Sequence, residues 1–226
     1  MIYDILTLFP EIIESYCAQS ITKRGIEQGI IKVNTYNFRD YTLDKHKKVD
    51  DTPYGGGGGM VLMAQPIIDC YRDIKKQEKS VFIMLTPQGE KYNQKTAVEL
   101  SEYKQIIMLC GHYEGYDERI RIALNPREIS IGDYVLTGGE LGALVLIDSI
   151  SRNLKGYLGE DVCSSTDSFS DGIDGLLEYP HYTKPRDFEG MKVPEILLSG
   201  NHKEIEKYRK QESIKRTRKK RPDLFT

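Results

Sequence analysis

Apolar residues along the chain fall into short continuous runs set between amphipathic stretches. Tyr3 to Leu8 is the first such run; Phe9-Pro10 closes it, which predicts a strand. Pro10 then opens a helix, because the first helical position has no hydrogen-bonded amide to lose. Ile31 to Tyr36 alternates Ile, Val and Tyr with polar neighbours and predicts a second strand. Asp44 to Gly59 is polar and ends in five consecutive glycines, a stretch no packed element tolerates, and so predicts a loop.

From Met63 the pattern cycles through helix, strand and loop. Helical spacing over Gln65 to Ile74 precedes the apolar run Val81 to Leu85, ended by Thr86-Pro87. A helix around Gln94 to Ser101 precedes Ile106 to Cys110, ended by Gly111. A short helix near Asp117 to Ala123, a strand over Glu128 to Ile131 and a helix over Glu140 to Ile150 complete the series. Continuous apolar strands alternating with helices predict an α/β fold, with a parallel sheet covered by helices on both faces.

The character then changes. Leu158 to Glu178 holds six acidic residues (Glu160, Asp161, Asp167, Asp171, Asp174, Glu178) and no Lys or Arg, with Ser and Gly between them. That is linker chemistry, although Phe169 and Ile173 supply groups that dock. After it, Glu195 to Leu198 and the stretch from His202 onward read as helical. The expected division is residues 1–157, a linker over 158–178, and a small basic helical domain over 179–226.

Charge sharpens this division. The net charge of −2 hides ten Lys or Arg against three Glu in residues 201–222, which is +7, so the remainder sums to −9. A basic end on an acidic body suits a polyanionic partner, and equally a solvated helix face. Hydrophobic content of 39% and charged content of 29% describe an ordinary soluble chain, and no stretch is long and apolar enough to span a bilayer. The expected location is the cytoplasm. Cys17, Cys70, Cys110 and Cys163 are scattered, which excludes a clustered zinc site and predicts isolated reduced thiols.

In an open parallel sheet, ligands bind outside the carboxyl ends of the strands. Three glycine-bearing segments leave such ends: Thr86-Pro87-Gln88-Gly89, Gly111-His112-Tyr113-Glu114-Gly115, and Ile131 to Gly139. Glycine lets the backbone approach a ligand, and Gly138-Gly139 before a helix leaves free N–H donors. No GxxxxGK[ST] and no GxGxxG after the first strand occur, which excludes a P-loop and a dinucleotide-binding unit. These residues alone specify only a small polar ligand with an adenine-like or phosphate-like group.

Ordered motifs go further. Leu8-Phe9-Pro10, Arg39-Asp40, Val49 to Gly57, Pro87-Gln88-Gly89, Cys110 to Gly115, Asp117-Glu118-Arg119, Ser130 to Leu136, Gly138-Gly139-Glu140 and Pro180-His181-Tyr182-Thr183 occur in this order. The chain thereby resembles the TrmD family, the bacterial tRNA (guanine-N1)-methyltransferases of the SPOUT class. The resemblance implies a trefoil knot at the cofactor site, an obligate homodimer, S-adenosylmethionine as methyl donor and magnesium as an assisting ion, for which Glu114 is a candidate neighbour. It implies tRNA as substrate, methylated at N1 of guanosine 37 beside the anticodon.

Residue by residue, the resemblance implies that the methyl donor lies against Leu85, Pro87, Gly111, Glu114, Ile131, Gly132, Tyr134, Leu136, Gly138 and Gly139. It implies Asp167 as general base and Arg152 as its companion cation. The chemistry wants both types: guanine N1 must lose a proton before it attacks, and negative charge then grows on O6. Tyr113 suits stacking on a base or packing; Asp50 and Asp51 suit positioning the base or solvation. His112 stands where arginine is common in the family and receives no role; His181 reads as a turn histidine.

The sequence departs from the family at Gly58, where proline is usual, and at Ile173 to Gly175, which resembles a short insertion. Two competing classes are an RNA-binding protein of this fold without catalysis, and an NTP-dependent enzyme that uses the glycine run. The first needs a lesion at Asp167 or Arg152, and the second a lysine after the glycines; neither is present.

Overall fold

The first apolar run forms strand β1, Ile2–Thr7, buried from Tyr3 onward. Helices α1 (Pro10–Cys17) and α2 (Ser20–Glu27) lead into strand β2 (Lys32–Asn37), which pairs parallel to β1. Helix α3 (Ala64–Asp73), strand β5 (Ser80–Lys91), helix α4 (Gln94–Ser101) and strand β6 (Gln105–Leu109) follow, after the two-residue strands β3 (Asp50–Asp51) and β4 (Val61–Leu62). Helix α5 (Arg119–Leu124), strand β7 (Arg127–Ser130) and helix α6 (Glu140–Ser151) complete this part. The sheet order is β2-β1-β6-β5-β7 with every pairing parallel. This computed structural model describes residues 1–159 and 166–225, which form two units, Met1–Gly159 and Glu160–Thr226. Cys163, Glu160 and Asp161, singled out above, lie outside the described residues.

Alternate side chains of each strand enter opposite cores, as the pleat demands. Ile5, Ile83, Ile106 and Met108 meet α1, α4 and α6 through Ile13, Leu100, Leu146 and Ile147. Leu6, Met84, Ile107 and Leu109 meet α3 and α5 through Ile67, Cys70 and Ile120. Helices therefore cover both faces, as the continuous apolar runs predict.

Two local expectations change. The run Val81 to Leu85 does not end at Thr86-Pro87, because β5 continues to Lys91. Leu85 and Glu90 both oppose Ile129 of β7, so residues 86–89 leave the ladder as a bulge and the strand then resumes. Gly89 is required there, since an added Cβ would lie 2.4 Å from the backbone of Glu128 and Ile129. The stretch 44–59 is likewise not all loop: Asp50 and Asp51 pair with Leu62 and Val61 as β3 and β4, and the glycine run, a loop as expected, connects the two strands.

In the second unit, helix α7 (His202–Lys220) starts at Asn201, whose side chain accepts from the Glu204 amide. The pair β8 (Asp187–Phe188) and β9 (Met191–Lys192) and a short turn of helix over Glu195–Leu198 precede it. Residues 166–178, which read as linker, are folded onto α7. The Leu177 amide donates to Thr217 Oγ1 (2.9 Å), and Ser213 Oγ donates to the Leu177 carbonyl (2.6 Å). Among the described residues no helix is long and apolar enough to cross a membrane.

Candidate functional site

The bulge 86–89, the turn 111–115 after β6 and the segment 131–139 before α6 enclose one cavity of about 430 Å3 in the first unit. All ten residues named above for the methyl donor line it: Leu85, Pro87, Gly111, Glu114, Ile131, Gly132, Tyr134, Leu136, Gly138 and Gly139.

Backbone holds the two glycine turns together. The Gly139 amide donates to the Gly111 carbonyl (2.9 Å), and His112 bridges Gly138 antiparallel. An added Cβ at Gly139 would lie 2.6 Å from Cys110 Cα, and one at Gly138 would lie 2.4 Å from His112 Cε1. No other residue type permits this approach, so the cavity keeps exposed main chain as its inner wall.

Beneath that wall lies a buried polar group. Glu140, the first residue of α6, is 2% exposed. Its Oε1 accepts from Thr7 Oγ1 at 2.5 Å, and His112 Nε2 lies 2.8 Å from its Oε2. The helix N-terminus adds free amides that favour the carboxylate. Burial, with the Glu140 charge beside it, pushes the Cys110 thiol well above its ordinary range, so this cysteine is no nucleophile.

Tyr116 closes another side. Its hydroxyl donates to the carbonyls of Leu85 and Leu109, each at 3.2 Å, which fixes the lip of the bulge to the end of β6. Burial pushes this phenol well up, which keeps its proton on and the hydroxyl a donor. Arg121, at the rim, is held by Glu118 (2.9 Å) and Glu128 (3.0 Å). Tyr113 lines the cavity with a ring 51% exposed, which disfavours the packing alternative and leaves a face open to a ligand. The walls thus combine apolar side chains, the exposed rings of Tyr113 and Tyr134 and closely approached main chain, a surface for a flat heterocycle carrying a polar chain.

Other sequence-named residues lie elsewhere. Arg152 is the C-terminal cap of α6, with its amide on the Asp148 carbonyl (3.1 Å). Asp167 is half-buried in the second unit, its carbonyl accepting from the Ser170 amide (3.1 Å). Asp50 and Asp51 form β3. His181 Nε2 meets Glu178 Oε1 at 2.8 Å. Among the described residues no group of three or more His, Cys, Asp or Glu is gathered in metal-binding fashion.

The sequence matches the family described as tRNA (guanine-1)-methyltransferase TrmD over residues 1–226. It is 56% identical to a tRNA (guanine-N(1)-)-methyltransferase of Clostridioides difficile, covering 100% of this chain and 97% of that protein. Proteins of the same name from Halalkalibacterium halodurans and Bacillus cereus are each 54% identical over 98% of this chain, covering 90% and 91% of their own lengths. The chain belongs to the TrmD family. Within that family assignment, the sequence overlooked Thr7, His112, Tyr116 and Glu140 as structural supports of the cavity. The hint available was Gly138-Gly139-Glu140 itself: an acid immediately after two glycines opens a helix whose N-terminus must be buried for the glycines to approach anything.

Proposed function

We propose that the chain transfers a methyl group from S-adenosylmethionine to N1 of guanine in tRNA, at guanosine 37 beside the anticodon. The observation that carries the reading is the convergence of ten family-matched positions on one glycine-walled cavity. When bound, S-adenosylmethionine supplies an electrophilic methyl group on a sulfonium. Leu85, Ile131, Tyr134 and Leu136 would enclose its flat ring, while Gly111, Gly138 and Gly139, without side chains, let its polar edges come close to the main chain. A cavity built this way also shields the reacting atoms from water.

Asp167 is the general base. It takes the N1 proton of guanine, freeing the lone pair for in-line attack, a step worth about 10² to 10⁴ in rate. Arg152 holds a fixed positive charge for the electron density that moves onto O6. Magnesium, if Glu114 lies near it, would keep mostly water ligands, since no group of three or more ligating side chains is gathered among the described residues; no step here depends on it.

The wider assembly follows the same reading. The segment 131–139 belongs to a trefoil knot, and the active site is completed in a homodimer in the cytoplasm. Exposed Ile12, Tyr16, Leu141 and Val145 on α1 and α6 support a self-associating face. Residues 158–178 carry the base, and the basic unit 179–226 holds tRNA through phosphate contacts with α7.

Incubation with tRNA and S-adenosylmethionine, followed by mass spectrometry of the digested tRNA, tests the reading. The expected product is 1-methylguanosine in the fragment containing position 37. Recovery of unmodified tRNA, with saturable binding of ATP and none of S-adenosylmethionine, would overturn it.

A further inference from the structure

A second cavity, of about 490 Å3, lies wholly within residues 179–209 of the second unit. Aromatic and cationic side chains share its wall: Tyr179, His181 and Tyr182 with Lys184, Arg186 and Arg209. The Arg209 guanidinium stands 4.7 Å from the Tyr179 ring centroid, and that ring is 4.8 Å from the His181 ring and tilted 45° to it, so the three groups form one contiguous cluster. Arg209 Nε is buried and meets no acceptor among the described residues. The neighbouring acid, Glu178, is occupied by His181 at 2.8 Å. Among the described residues no carboxylate pairs with Lys184, Arg186 or Arg209.

Three cations gathered without a counter-charge repel one another, and a buried guanidinium donor without an acceptor is costly. The wall is complementary to a ligand that is anionic at one end and flat at the other. Inorganic phosphate would leave the rings idle, and an aliphatic carboxylate would do the same. A nucleotide uses both, with its base on the aromatic and guanidinium faces and its phosphate on the cations.

We infer that this pocket is a nucleotide subsite, taking one unstacked base of an RNA strand against the aromatic wall of Tyr179, His181 and Tyr182 and the attached phosphate on Lys184 and Arg186. The inference rests on the tRNA reading above and adds to it a base-holding site apart from the methyl-donor cavity. The alternative role of Arg209 is purely internal, pinning Tyr179 in the fold.

Two measurements on the full chain, saturated with S-adenosylmethionine so that the first cavity is occupied, test it. In the first, AMP, adenosine and inorganic phosphate are titrated separately while the Arg209 Nε–H resonance and the Tyr182 ring signals are followed. AMP is expected to shift both sets saturably, adenosine the ring signals more weakly, and phosphate neither ring. Phosphate and AMP acting alike, or no shift with AMP, overturns the proposal. In the second, tRNA affinity is measured against salt for Arg186→Gln and Tyr182→Leu, with the folding of each variant checked by its urea midpoint. Arg186→Gln is expected to weaken binding roughly fivefold and lower the salt slope by roughly 0.7 to 0.9. Tyr182→Leu is expected to weaken it by about fivefold or more with the slope unchanged, as loss of one stacked base does. Wild-type affinity in both variants overturns the proposal. A wild-type chain that takes AMP in the pocket but does not methylate tRNA sinks the tRNA reading instead and leaves the nucleotide site standing.

Discussion

His112 Nε2 lies 2.8 Å from Glu140 Oε2, a bond that ties the turn after β6 to the first residue of α6, 28 residues later in the chain. Thr7 Oγ1 donates to the same carboxylate from the end of β1. One buried acid therefore fixes three chain segments behind the glycine wall. Glu140→Ala leaves the Thr7 donor and the His112 ring without their acceptor, which costs about 1–3 kcal/mol for each buried group left unpaired. The expected outcome is a lower unfolding midpoint together with weaker S-adenosylmethionine binding by calorimetry. An Ala variant as stable and as tightly bound as wild type would show that the carboxylate is idle.

The glycines on that wall are not equivalent. A Cβ at Gly139 would meet the Cys110 backbone at 2.6 Å, whereas one at Gly142 would sit 3.4 Å from Leu85 Cδ1, an ordinary contact with a side chain that can turn. Gly139→Ala should abolish measurable donor binding, and Gly142→Ala, buried but meeting only a side chain that can turn, should weaken it far less. Equal affinities for the two variants would refute the close-approach argument.

Asp167→Asn separates binding from chemistry. The amide has nearly the same shape as the carboxylate but cannot take the guanine proton at neutral pH. Donor affinity should stay within about twofold while the single-turnover rate falls by about 10² to 10⁴. Turnover at the wild-type rate would remove Asp167 as the base.

Alkaline pH should loosen the fold through its buried thiols. Burial pushes Cys17 up to about 11 and Cys70 up to about 12, from an ordinary value of 9.0. Between those values the unfolded chain releases protons that the native chain retains, so the native state loses ground as pH rises. The contribution is whole below pH 9 and is lost as pH climbs through the native values. Urea midpoints measured from about pH 8 to 10.5 should fall, and Cys70→Ala should flatten the decline. A pH-independent midpoint contradicts the assignment.

Sequence pattern revealed the sheet because strands buried on both faces carry unbroken apolar runs, as in Ile106 to Leu109. It placed the ten cavity positions only through family resemblance; glycine and polarity by themselves left the ligand open. Helix α2, which packs Ile21 and Ile26 on the core, escaped notice because only Ala18 and Gln19 separate it from α1 and neither residue breaks a helix. Strands β8 and β9 are two residues each and exposed, so no alternation marks them. The packed face of α7 uses Ser213 and Thr217, hydroxyls that bond to the Leu177 backbone, and in sequence such residues look like a solvated surface. The His112 and Glu140 pair was illegible for a different reason: local rules see a few residues, and this bond depends on a return of the chain.

The bulge in β5 carries one more consequence. Because Leu85 and Glu90 both oppose Ile129, the residues between them contribute nothing to the register of the sheet. A change at Pro87 or Gln88, both exposed, forces no strand to slide and turns no core side chain outward, while the buried Thr86 accepts from the Gln88 amide and keeps the turn in shape. Gly89, pressed on the backbone of β7, is held in place as well. The protein thus keeps a replaceable lip on an unchanging frame, and selection on what the cavity admits need not disturb the scaffold that folds around it.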